Sequence, residues 1–171
     1  IGGLQRLVAV AERALDPALE GGTSPEHYIN MDLVPPAVLQ AALAAYDSAL
    51  AVDSLDYPAN WKAALTLVDI GKETPDSVKD AARDRPYKRA EVLARRAVTV
   101  APKAPDGYFV LSNAVGRTAL TKSPKERVKV ANEIYDHATT ALGMDHRHDG
   151  AFHVLGRWNA EIMRLSSVER F

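Results

Sequence analysis

The densest chemistry in this 171-residue chain is the run Asp145-His146-Arg147-His148-Asp149, with His137 and His153 close by in sequence. Imidazoles and carboxylates gathered in this way are zinc-type ligands, and a zinc held there would make the chain a metal-dependent or hydrolytic enzyme. The same residues have a plainer reading. His146 and His148 fall in a turn between two helical stretches, Arg147 separates them, and Asp149 stands where a helix wants its N-cap. The solvated polar turn is the preferred reading, and the metal site around His146 and His148 is the alternative. The chain has no cysteine, which excludes disulfides, thiolate ligands and cysteine nucleophiles. The sequence also lacks G-x-x-x-x-G-K, G-x-G-x-x-G, H-E-x-x-H and G-x-S-x-G, so no phosphate loop, zincin helix or nucleophile elbow is written in it.

Two basic segments come next. Arg83, Arg85, Lys88, Arg89, Arg95 and Arg96 form one, with Asp80, Asp84 and Glu91 interleaved. Arg117, Lys122, Lys125, Arg127 and Lys129 form the other. Mixed signs are normal on a solvated helix face. The functional reading is a docking patch for an acidic partner, centred on Arg95 and Arg96. Net charge is −1, which argues against a nucleic-acid binder. Arg157 and Trp158 also read two ways. As structure, Trp158 packs between helices and Arg157 pairs with Glu161 one turn on. As function, they form an exposed Arg/Trp anchor of the type found in binding hot spots.

Helices must position all of these groups, because helical periodicity dominates the chain. Leu4, Leu7, Ala11 and Leu15 mark a first helix. Pro36 opens a second, with Leu39, Leu43, Tyr46 and Leu50 on one face, and Pro58 opens a third with Trp61, Leu65 and Val68. A short helix is expected from Pro75 to about Asp84, with Pro86 opening the next. Val128, Ala131, Tyr135, Ala138 and Leu142 form a later stripe, and Phe152, Leu155, Asn159 and Ile162 mark the last helix. Ser123-Pro124-Lys125-Glu126 is a capping box, Thr23-Ser24-Pro25-Glu26 could be another, and Asp106 and Asp149 are expected N-caps. Residues 21 to 35 form one long irregular insertion.

Three segments align without gaps: Ala49 to Trp61, Ala97 to Phe109 and Thr140 to Phe152, at offsets of 48 and 43 residues. Each is a helix end, a short turn and an aromatic in the next helix. Self-similarity at such a period means stacked helix pairs that share a core. Ala97 with Pro102, and Phe152-x-x-Leu155-Gly156, fit the tetratricopeptide signature. The expected fold is therefore all-α, a tetratricopeptide-like helical-repeat solenoid of about three helix pairs plus a terminal helix, in one domain spanning residues 1–171. Residues 72–85 are an inserted segment. Trp61, Phe109 and Phe152 are expected in the core, and Ala49, Ala97 and Gly156 at close helix approaches.

From Lys125 onward the runs KERVKVANEIYDHATTAL and HDGAFHVLGRWNAEIMRLSSVERF resemble the regulator of microtubule dynamics family and its bacterial relatives. Leu155-Gly156-Arg157-Trp158, Leu165-Ser166 and Glu169-Arg170 carry the resemblance most specifically, and it is strongest over residues 86–171. It implies a tetratricopeptide-like solenoid that associates with proteins and performs no catalysis. Asn159-Ala160 stands where more aromatic residues are expected after the Arg-Trp pair, and the bacterial branch fits better.

The expectation is a non-catalytic scaffold or accessory subunit that binds another protein or a multi-subunit complex, through a concave groove, the apolar C-terminal helix, or both. No cofactor, metal or nucleic acid is expected, and membranes are reached only through a partner. Ile1 in place of methionine leaves a cleaved signal peptide, a trimmed start and a disordered start open, with an exported, periplasmic protein slightly favoured over a cytoplasmic one. Phe152, Leu155, Trp158, Ile162, Met163, Leu165, Val168 and Phe171 are more apolar residues than one helix buries against its predecessor. That end is expected to be covered by a partner or by residues beyond this sequence, with Trp158, Met163 and Phe171 on the exposed side.

Overall fold

The computed structural model describes residues 2–15, 34–75, 77–78, 81–119 and 122–164. They form seven helices: α1 (Gly2–Leu15), α2 (Pro36–Val52), α3 (Tyr57–Lys72), α4 (Ala81–Val100), α5 (Pro105–Ala119), α6 (Pro124–Met144) and α7 (Asp149–Arg164). No strand occurs among the described residues. Each helix packs on its neighbour in sequence, α3 also packs on α5, and α5 on α7. The fold is an all-α helical repeat.

The starts follow the sequence signals closely at three helices, and α2 begins at Pro36 as expected. Asp56 caps α3 by accepting from the Ala59 amide at 2.7 Å, which starts the helix one residue ahead of Pro58. Ser123 and Glu126 make the reciprocal capping box of α6, with the Ser123 amide donating to Glu126 Oε2 at 3.0 Å.

Four expected starts differ. No separate helix runs from Pro75; the described residues there form a turn, with the Val78 amide donating to the Pro75 carbonyl at 3.0 Å. Pro86 does not open α4 but is its sixth residue. The carbonyl it leaves without a helical donor belongs to Ala82, an exposed residue, so water can satisfy it. Asp149 is not the cap of α7. His148 is: its Nδ1 accepts from the Ala151 amide at 3.2 Å, and its carbonyl accepts from Phe152 at 3.2 Å. Asp106 likewise lies inside the first turn of α5.

These caps fix the repeat. The turns between α2 and α3, α4 and α5, and α6 and α7 share one pattern. Amides of Asp53, Ala101 and Asp145 donate to carbonyls of Ala49, Ala97 and Ala141. Amides of Asp56, Ala104 and His148 then donate to carbonyls of Asp53, Ala101 and Asp145. The third segment therefore begins at Ala141, one residue later than the gapless alignment puts it. One residue is 100° around a helix. Phe152 accordingly leaves the core position of Phe109 and is 53% exposed, whereas Phe109 is buried and Trp61 is partly buried.

The core sits around α3 and α5, which are covered on several sides. Leu67, Val68, Val110, Leu111 and Val115 pack there with many alanines. Buried polar residues on these two helices bond back to their own turns. Ser112 Oγ donates to the Phe109 carbonyl at 2.6 Å, and Thr66 Oγ1 to the Lys62 carbonyl at 2.9 Å. Close approaches fall at glycines other than Gly156, which has open space around it. A methyl on Gly150 would stand 2.6 Å from Phe109 Cε2, and one on Gly71 would overlap the Tyr87 ring.

Candidate protein-binding surface

The histidine turn holds the array together. His148 is buried, its ring 4.8 Å from that of Phe109, and its Nε2 lies 3.6 Å from Asp106 Oδ1. Asp106 Oδ2 accepts from the Tyr57 hydroxyl at 3.2 Å, and that hydroxyl accepts from the Gly107 amide. The first turns of α3 and α5 and the cap of α7 are thus tied in series. Burial would push the Asp106 carboxyl up, but His148 and the Tyr57 hydroxyl outweigh it and hold it below the usual carboxylate range. His146, two residues away, is exposed. With Nδ1 of His148 already engaged as a cap, the two imidazoles do not converge. Among the described residues no group of three or more His, Cys, Asp or Glu is placed to hold a metal ion.

The basic segments are also engaged with the chain itself. Arg83 is not on the surface but buried, 2.9 Å from Asp84 and over the Tyr87 ring. Arg89 pairs with Asp47, joining α4 to α2, just as Lys62 pairs with Glu12 to join α3 to α1. Arg95 reaches Glu91 at 2.7 Å and Glu133 of α6 at 2.5 Å. Burial would lower its pKa, and the two carboxylates outweigh that and raise it. Arg96 donates to the Ser54 carbonyl at 3.4 Å. Arg89 and Arg95 each link α4 to the next helix but one, to α2 and to α6. Lys122, Lys125, Arg127 and Lys129 remain exposed at the start of α6.

Exposed apolar side chains occur along the chain, Val10, Val52, Leu55 and Val92 among them, and on α6 and α7 they are Val128, Tyr135, Met144, Phe152 and Met163. The buried face of α6 is Val130, Ala138 and Ala141, with Ile134 packed against it. The stripe read from the sequence is rotated from this, so Val128 and Tyr135 are 46% and 43% exposed. Trp158 lies against that second face. Its indole N–H donates to the Ala131 carbonyl at 2.7 Å, and its ring stacks at a tilt on Tyr135, 4.9 Å between centroids. Trp158 is therefore half-buried and pins α7 to α6, which is the structural reading of that residue. Arg157 is exposed on α7, and Glu161 receives Arg164 at 2.6 Å. Met163 is 71% exposed. Phe171, Leu165 and Val168 lie outside the described residues, as do the capping box at Thr23 and most of the 21–35 insertion.

Of the residues singled out in the sequence, Arg157, Trp158 and Met163 lie on α7 but on different sides of it, with Trp158 against α6, and Arg95 and Arg96 lie apart on α4. Phe152, Tyr135 and Val128 join the open surface unannounced. The signal that could have found Phe152 is the cap spacing Asp56, Ala104, His148. No helix among the described residues is long and apolar enough to cross a membrane. The profile of the family described as Regulator of microtubule dynamics protein 1-3 matches residues 37–171. No curated protein matches the chain.

Proposed function

The chain belongs to the Regulator of microtubule dynamics protein 1-3 family, and from that premise we propose that it is a non-catalytic, tetratricopeptide-like scaffold or accessory subunit that binds another protein. The α6–α7 end is its docking surface. The observation that carries this reading is the contrast between the two ends of its chemistry. His148, Asp106, Arg89 and Arg95 are spent on joining helices, while Phe152, Tyr135 and Met163 stay open on α6 and α7. Exposed apolar residues grouped on one end of a repeat mark an interface. Asn159-Ala160 after the Arg157-Trp158 pair supports the bacterial branch of the family as the better fit.

The test is affinity purification from the native source with wild type and with a Phe152→Glu, Met163→Glu variant. A stoichiometric protein recovered with wild type and lost with the variant, at unchanged helicity, is the expected result. Equal recovery with both removes the α6–α7 end from the interface.

A further inference from the structure

Helices α4 and α6 flank α5 and run the same way, because short connections at both ends of α5 reverse the chain twice. Arg95 of α4 reaches Glu133 of α6 at 2.5 Å, and that ion pair fixes their register. About one turn earlier Val92 comes level with Lys129, and about two turns earlier Lys88 comes level with Glu126 and its neighbour Lys125. Arg85, Lys88 and Val92 share one exposed face of α4, and Lys125, Val128 and Lys129 one exposed face of α6. Among the described residues, Arg85, Lys88, Lys125 and Lys129 have no carboxylate partner. The carboxylates around them are engaged elsewhere: Glu126 holds the capping box with Ser123, and Glu91 and Glu133 hold Arg95. The chain as a whole has a net charge of −1, so outside these cations the molecule is net negative. Two apolar side chains lie among them, Val92 at 58% exposure and Val128 at 46%.

We infer that these two faces dock a short acidic protein segment that carries apolar side chains between its carboxylates. Unpartnered cations of one sign select carboxylates, and the two valines give the intervening side chains somewhere to rest. The size of the patch separates a short segment from longer polyanions. Arg85 to Val92 spans about 10 Å of helix. A nucleic-acid strand or an anionic bilayer extends well past that length and meets the net-negative remainder of the molecule. Neither offers the valines a side chain. The acidic partner that the sequence puts at Arg95 and Arg96 is thereby moved towards the start of α4, because Arg95 is already paired and Arg96 bonds to the Ser54 carbonyl. Each exposed charge pair is weak, so the patch speeds and orients encounter more than it tightens binding. The patch uses neither Phe152 nor Met163, and it goes beyond the proposed function without resting on it.

The probe is a short fluorescent peptide alternating glutamate and leucine, titrated into the full chain and followed by anisotropy. Wild type is expected to bind it, severalfold more weakly at high salt than at low. A Lys88→Gln, Lys129→Gln variant of unchanged helicity is expected to lose severalfold in affinity. An Arg95→Gln, Arg96→Gln variant removes the same number of charges and is expected to lose little. Val92→Ser with Val128→Ser is expected to weaken this peptide but not an all-glutamate one. Absence of binding to wild type, or an equal loss in the lysine and arginine variants, overturns the patch. An oligonucleotide or a phosphatidylglycerol vesicle that binds more tightly than the peptide through Lys88 and Lys129 overturns the acidic protein segment as its occupant. The Phe152→Glu, Met163→Glu variant is expected to bind the peptide as wild type does; a loss there moves the peptide to α7 and overturns the patch, while failure of the patch leaves the α6–α7 docking end to its own test.

Discussion

Gly150 stands where α7 crosses the Phe109 ring, and no side chain fits between them. Gly150→Ala is expected to destabilise the protein by about 1–3 kcal/mol, the usual cost of overpacking a core contact. Gly156→Ala is expected to change stability little, since its surroundings are open; chemical denaturation compares the two. Two groups that bridge or pack between helices contribute to the acid response, beside Glu126 in its exposed capping box. Burial, against a partial opposing effect of Glu133, pushes His137 down. Its neutral form is favoured in the fold, so its share of stability is present above the unfolded imidazole value of about 6.5 and is lost as pH falls. Asp106 is also held low, so its share is present above about 3.9 and is lost as pH drops through its folded value. Denaturant midpoints measured from pH 8 to pH 3 should fall in two stages. His137→Gln should flatten the first, and Asp106→Asn the second. At this scale the sequence showed which residues were reactive but not what they faced. The Asp106–His148 contact joins residues from different helices, and spacing along the chain carries no trace of it.

Helix α7 is held by a cap at His148 and by the indole of Trp158 on the Ala131 carbonyl. Trp158→Phe keeps the ring contact with Tyr135 and removes the hydrogen bond, at an expected cost of about 1 kcal/mol. The loss should appear as faster hydrogen exchange confined to α7. Removing the α6 cap with Ser123→Ala should cost a similar amount, about 1 kcal/mol, but speed exchange at the start of α6. Most helices were legible from stripes and caps, because those signals are local. Two features were not. Pro86 reads as a helix start, yet the exposed Ala82 lets α4 carry it inside. The last repeat slipped by one residue because the alignment followed the aromatics Phe109 and Phe152, while the fold follows the buried alanines Ala49, Ala97 and Ala141. That slip moved Phe152 from the expected core to the outer face.

Over the whole molecule, charged pairs join alternate helices, and association is assigned to the open face of α6 and α7 only by the proposed function. Neutralising Arg95 and Arg96 together is therefore expected to leave the association rate and its salt dependence unchanged. It should lower stability modestly, by about 1 kcal/mol or less, because the pairs are exposed. Stopped-flow association at two ionic strengths checks the first, and denaturation the second. The repeat and its family were legible in the sequence. The surface was legible only in part: Met163 was named as exposed, Phe152 was counted in the apolar excess but also expected in the core, Trp158 pins α7 to α6, and Tyr135 and Val128 emerged from packing alone.

The central claim is that this chain works by protein association through its α6–α7 end. Hydrogen exchange of the protein in its native assembly, compared with the isolated chain, tests it most directly. Slowed exchange concentrated in Asp149–Arg164 of α7 and around Val128 to Tyr135 of α6 is the predicted result. Exchange unchanged there, with new protection on other helices or none at all, would contradict it.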